Sequence, residues 1–124
     1  MSRVAVLANL GVPEASEEQK TFGARIDKFG AIQISYQSDS VVAIYYDPAP
    51  APQETPGPLV VHSGINPYEV AALCENLALN WMINQSLSYD HKLTITTATG
   101  VTLFFDLGQR ELSRIAVDSR IQYI

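Results

Sequence analysis

The stretch NPYEVAALCENLALNWMINQSLS, residues 66–88, decides how this chain is read. Asn66 opens it, and an Asn side-chain oxygen suits an N-cap because it accepts from an early helical N–H. Pro67 falls at the first helical position, where its missing N–H costs nothing. Glu69, three residues after the cap, can reach back as in a capping box and faces the positive end of the helix dipole. Ile65 and Val70 flank the start as a hydrophobic staple. Val70, Leu73, Cys74, Leu77, Ala78 and Trp81 then recur at helical spacing, and Ala72, Leu79, Met82, Ile83 and Leu87 widen the apolar face. The pattern predicts one helix over residues 66–88, about 33 Å long at about 1.5 Å per residue. With so narrow a polar strip it should be buried on several sides. Glu75, Asn76 and Asn80 interrupt it too often for a membrane span.

Around that rod the chain alternates between strands and turns. Residues 3–8 read as a short strand, since Val4 and Val6 alternate with smaller residues. Residues 14–29 read as a weaker helix with Ser16 as its cap, Phe22, Arg25, Ile26 and Phe29 at helical spacing, and Gly30 as its stop. Residues 31–37 alternate Ile32, Ile34, Tyr36 against Gln33, Ser35, Gln37, the signature of a half-buried strand. Residues 41–47 form its return, apolar on both parities, which places it in a sheet interior or at an interface. Residues 48–58 carry five prolines, Pro48, Pro50, Pro52, Pro56 and Pro58, which exclude a sheet interior and predict an extended surface excursion. A short strand over residues 59–62 leads into the helix. Strands over 92–98 and 101–107, joined by a turn at Thr99-Gly100, and a last strand over 112–124 complete the chain. The expected fold is α+β, a single domain over residues 1–124. Its mostly antiparallel sheet packs against one long central helix and a shorter N-terminal one, in the order β-α-βββ-α-βββ. Residues 32–47 and 93–106 resemble one another faintly, at positions where strand residues are common.

Composition narrows the function classes. The chain has 124 residues, 47% hydrophobic and 17% charged, so it can bury a sizeable core without a staple. Its formal net charge of −5 opposes a backbone-driven nucleic-acid binder. Arg110, Arg114 and Arg120 lie close together but read first as a solvated strand face. Cys74, the single cysteine, permits no internal disulfide and sits on the apolar helix face as a small hydrophobe. Val4 to Leu10 lacks the features of a secretory leader, so the cytoplasm is the expected compartment.

No catalytic motif is legible. His62 and His91 bracket the predicted helix, one histidine with one carboxylate is not a metal site, and Ser63 next to His62 does not form a nucleophile–base pair. No glycine-rich phosphate loop exists, and no cofactor is expected. Asn76, Asn80 and Asn84 form one column on the predicted helix; they either line its solvent stripe or make a hydrogen-bonding seam. Tyr45 and Phe104 stand on the non-core parity of their strands and mark a contact surface if that face is open. Two readings follow. The first is a non-enzymatic protein-interaction module (adaptor, chaperone-like or regulatory), homodimeric, with interface residues Tyr45, Asn76, Asn80, Asn84 and Phe104. Its partner is a protein, possibly itself, with neither membrane nor nucleic acid involved. The second is a small-ligand-binding domain or small enzyme with a pocket between helix and sheet at His62 or His91. A mimic of nucleic acid is a weaker third idea, because the acids are spread along the chain.

Overall fold

The computed structural model describes residues 1–109 and 111–123, with the side chain of Phe22 left undescribed. Two α-helices, α1 (Arg3–Leu10) and α2 (Pro67–Asn76), accompany ten strands: β1 (Ala15–Gln19), β2 (Ala24–Phe29), β3 (Ile32–Gln37), β4 (Ser40–Tyr46), β5 (Gln53–Glu54), β6 (Val60–Val61), β7 (Trp81–Ile83), β8 (Lys92–Thr97), β9 (Val101–Asp106) and β10 (Glu111–Asp118). Eight of them form one antiparallel sheet in the order β1-β2-β3-β4-β10-β9-β8-β7, and β5 pairs with β6 apart from it. The α+β class and the antiparallel sheet carrying two helices are as the sequence predicts. The order of elements is not.

α2 starts as its residues dictate. Asn66 caps it, Glu69 N–H donates to Asn66 Oδ1 at 2.9 Å, and Asn66 N–H donates to Glu69 Oε1 at 3.3 Å, a complete capping box. It ends at Asn76, twelve residues short of the predicted rod. Ala78 takes a left-handed φ of 53°, its N–H donates to Glu75 C=O, and Leu79 N–H donates to Cys74 C=O at 2.8 Å. This is a Schellman stop, closed by burial of Leu79 and Cys74 in the same cluster. Alanine rather than glycine occupies the left-handed position, so no breaker announces the end. The chain then turns back as β7, at the sheet edge beside β8.

Two further elements depart from expectation. Residues 14–29 are a hairpin, not a helix: Gly23 at φ 63° closes a 3-10 turn (Lys20–Phe22), and β2 pairs with β3 from Ala24↔Gln37 to Phe29↔Ile32. Ser16, expected as a helix cap, instead donates to Asp27 Oδ1 at 2.7 Å. Residues 3–8 lie in α1 rather than a strand. Ser2 Oγ accepts from Ala5 N–H, and Val6 seats on Ile34 and Tyr36. α1 is fixed by Arg3, whose guanidinium meets the fully buried Asp27 carboxylate at 2.8 Å. Among the described residues the buried Tyr36 hydroxyl has no hydrogen-bond partner, and burial together with the charge of nearby Asp27 pushes it up to about 12. The proline-rich stretch is mostly at the surface but not free. β5 pairs with β6, and buried Thr55 donates its hydroxyl to Leu59 C=O at 2.7 Å.

The main core lies between α2 and one sheet face, where Val70 and Cys74 meet Ile95, Leu103, Phe105 and Ile115. Leu59, Val61 and Ile65 fill its margin. β4 is interior to the sheet, flanked by β3 and β10; Ala43 on one parity is buried, whereas Ile44 on the other is 37% exposed. Among the described residues no helix is long and apolar enough to cross a membrane.

Candidate functional site

The sheet face turned away from α2 forms an open groove of about 830 Å³. Small residues share this sheet face: Thr94 and Thr96 on β8, Thr102 on β9, Ala116 on β10 and Ala43 on β4 are all buried. Thr96 and Thr102 hydroxyls meet at 3.2 Å, and Thr94 donates to Leu87 C=O at 2.9 Å. That second bond ties the segment after β7 across the face, so Leu87 and Tyr89 wall one end of the groove.

Larger side chains on the same face line the groove. Arg114 is directly opposite Phe104 in the β10–β9 ladder, and Tyr45 is opposite Ala116, two residues further along β10. Alternation along β10 therefore puts Phe104, Arg114 and Tyr45 in one row. The Arg114 guanidinium carbon lies 5.5 Å from the Tyr45 ring centroid, within cation–π reach. Tyr45 donates its hydroxyl to Asp118 Oδ2 at 2.5 Å. Arg120 clasps the same carboxylate twice, at 2.9 Å from Nε and from Nη2.

Electrostatics give this face a sign opposite to the whole. Lys92, Arg114 and Arg120 line it against Glu17 and Asp118, so three positive and two negative charges leave +1 in a chain of net −5. Arg25 turns its guanidinium to the opposite face, onto Ser16 and Glu18, and Arg120 is bound to Asp118. Among the described residues Arg114 and Lys92 have no carboxylate partner. Burial raises Asp118, but hydrogen bonds from Arg120 and Tyr45 outweigh it and hold its carboxyl below the usual range. Burial, then Asp118, raises the Tyr45 hydroxyl. The bond to Asp118 raises the Arg120 guanidinium further. Asp118 is thus charged and Tyr45 neutral around neutral pH. Neither is poised to exchange a proton, and the trio suits holding and orienting rather than acid–base work.

The residues singled out by sequence divide. Tyr45 and Phe104 both line the groove. The asparagine column does not exist, because its helix ends at Asn76. Asn76 is exposed at the helix end, Asn80 is exposed in the link to β7, and Asn84 is buried. Asn84 accepts from Ser86 Oγ at 2.8 Å and its N–H donates to Thr94 C=O, a role inside the fold. His62 follows β6 and His91 precedes β8, and neither lines the groove. Arg114, Asp118 and Arg120 do, where the sequence predicts a solvated strand face for the arginines. Their shared parity along the last strand was the signal available. Arg110 lies outside the described residues. Among the described residues no three His, Cys, Asp or Glu side chains gather as a metal-ligand set.

Comparison with family models, with curated proteins and with solved structures finds no match to this chain.

Proposed function

We propose that this domain is a non-enzymatic protein-interaction module, adaptor-like, chaperone-like or regulatory. Its recognition surface is the groove, and its occupant is an acidic, extended segment of a partner protein bearing an apolar or aromatic side chain. The observation that carries this reading is the row Phe104–Arg114–Tyr45, with Arg114 and Lys92 lacking carboxylate partners among the described residues on a net-positive face of an acidic protein. Aromatic and arginine anchors dominate binding energy at protein interfaces, and opposite potentials steer the correct partner. A nucleic acid, a longer polyanion, would also meet the remaining negative surface of a −5 chain.

Selection of displayed random peptides on the immobilised protein tests it. Enriched sequences should combine Asp or Glu with an apolar residue, and Arg114→Glu should weaken their binding by about tenfold or more while the circular dichroism spectrum stays unchanged. Phe104→Ala should do likewise. Acid-free consensus sequences, or full binding to Arg114→Glu, would sink the proposal.

The groove volume of about 830 Å³ also falls in the range of about 300–1,000 Å³ for small-ligand sites, which favours a small anion as the second reading. Thermal-shift screening with small carboxylates and phosphates separates the two. A rise in melting temperature that vanishes in Arg114→Glu supports the small ligand.

A further inference from the structure

The two edges of the main sheet differ in kind. β1, at one end, is exposed throughout and carries Glu17 and Glu18, charges that discourage another strand from pairing there. β7, at the other end, reads Trp81-Met82-Ile83. The chain contains no charged residue between Glu75 and Asp90, and no proline, and β7 has no bulge against its neighbour.

The backbone of β7 is only half used. Ala98 N–H donates to Asn80 C=O at 2.9 Å and Asn84 N–H donates to Thr94 C=O at 2.8 Å. Trp81↔Thr97 and Ile83↔Ile95 are therefore the non-hydrogen-bonded pairs of the β7–β8 ladder, and Met82↔Thr96 is the bonded one. The N–H and C=O of Trp81 and of Ile83 point away from β8, toward the open edge. Ile83 is 48% exposed, and Leu77, at the end of α2, is 42% exposed. Trp81 Nε1 donates to Glu75 Oε1 of α2 at 3.3 Å, which places this end of the helix beside the edge.

We propose that β7 pairs antiparallel with β7 of a second copy of this chain, joining two sheets into one. This surface is separate from the groove and does not depend on how the groove is read. The register follows from the free groups. With a two-fold axis at Met82, Trp81 of one copy lies opposite Ile83 of the other, and both residues present outward N–H and C=O. Each such pair exchanges two hydrogen bonds, so the symmetric contact makes four. The edge is complementary to itself, as a two-fold interface requires. Charge permits the same occupant: β7 itself is uncharged, so pairing it with its copy sets no like charges directly opposite one another. Trp81 and Ile83 become cross-strand neighbours on the side of α2.

Sedimentation equilibrium of the full chain tests the proposal. The wild type should show a species of twice the 13.6 kDa chain mass at micromolar concentration. Ile83→Lys should weaken association at least tenfold. Ile83→Pro should do the same, because it removes only an outward N–H that the fold does not use, and proline is tolerated at such edge positions. Circular dichroism keeps the fold in view for both variants. Met82→Cys fixes the register: residues on the axis form a non-hydrogen-bonded pair close enough for an intermolecular disulfide under mild oxidation, whereas Ser86→Cys should not cross-link. Buried Cys74 does not compete. A wild type that stays monomeric at about 100 µM overturns the proposal, including the case in which the edge instead takes a foreign strand. So does a dimer indifferent to both Ile83 variants, or one that Met82→Cys fails to cross-link.

Discussion

At the residue scale, the most consequential side chain is one that the sequence made ordinary. Asp27, which no sequence motif singles out, is a fully buried carboxylate held by Arg3 and Ser16. Burial raises its carboxyl, but the hydrogen bonds and charge of Arg3, with Ser16, outweigh this and leave it below the usual range. A folded-state value below the unfolded one gives stability that is complete above the ordinary carboxylate range. That stability is lost as pH falls through the unfolded and then the folded value. Arg3→Met leaves the carboxylate buried without the two hydrogen bonds and the charge of the guanidinium. It should cost about 2–3 kcal/mol in urea unfolding at pH 7, and should move acid unfolding to higher pH because burial then dominates. An acid-unfolding midpoint unchanged in Arg3→Met would show that the pair does not stabilise α1 on the sheet.

At the element scale, α2 shows which signals are local. Its start is written in four consecutive residues, and Asn66→Ala should cost about 1 kcal/mol because the side-chain oxygen that accepts from Glu69 N–H is lost. Its end depends on Ala78 accepting a left-handed backbone, which costs an L-residue roughly 1–2 kcal/mol. Ala78→Gly should therefore stabilise the protein by about 0.5–1 kcal/mol, read as a higher urea midpoint at constant slope. Periodicity could not show this stop. Leu77, Leu79, Trp81 and Ile83 fit a helical face and a strand edge alike, and only the bonds to Cys74 and to β8 choose between them. The hairpin of β1 and β2 misled the reading for the same reason. Phe22, Arg25, Ile26 and Phe29 fit a helix until β3 offers Ala24 to Phe29 a complete ladder.

At the scale of the whole molecule, the sheet is continuous but its support is uneven. α2 and the β5–β6 segment cover β8, β9 and β10 with a large buried cluster. The β1–β3 end rests on Val6 of α1, on Ile34 and Tyr36, and on the Arg3–Asp27 pair. Regions with fewer buried apolar contacts open first. Native-state hydrogen exchange should show amides of α1, β1 and β2 exchanging through openings of lower free energy than those of β9 and β10. Equal protection at both ends would mean that the sheet opens only as one unit.

The sequence by itself determined the class of the fold, the capped start of α2, the β3–β4 and β8–β9 hairpins and the buried character of Cys74, and it narrowed β4 to a sheet interior or an interface. These rest on local chemistry: caps, alternation, turn residues and apolar spacing act over a few neighbours. It also marked Tyr45 and Phe104 by parity. Only the tertiary structure decided where α2 stops, that residues 14–29 are strands, and that β10 joins Tyr46 to Ile115 across the chain. Only there do Arg114, Asp118 and Arg120 come to share a face with Tyr45. Such choices depend on partners far apart in sequence, whose hydrogen bonds and burial outweigh a local preference of a kcal/mol or less.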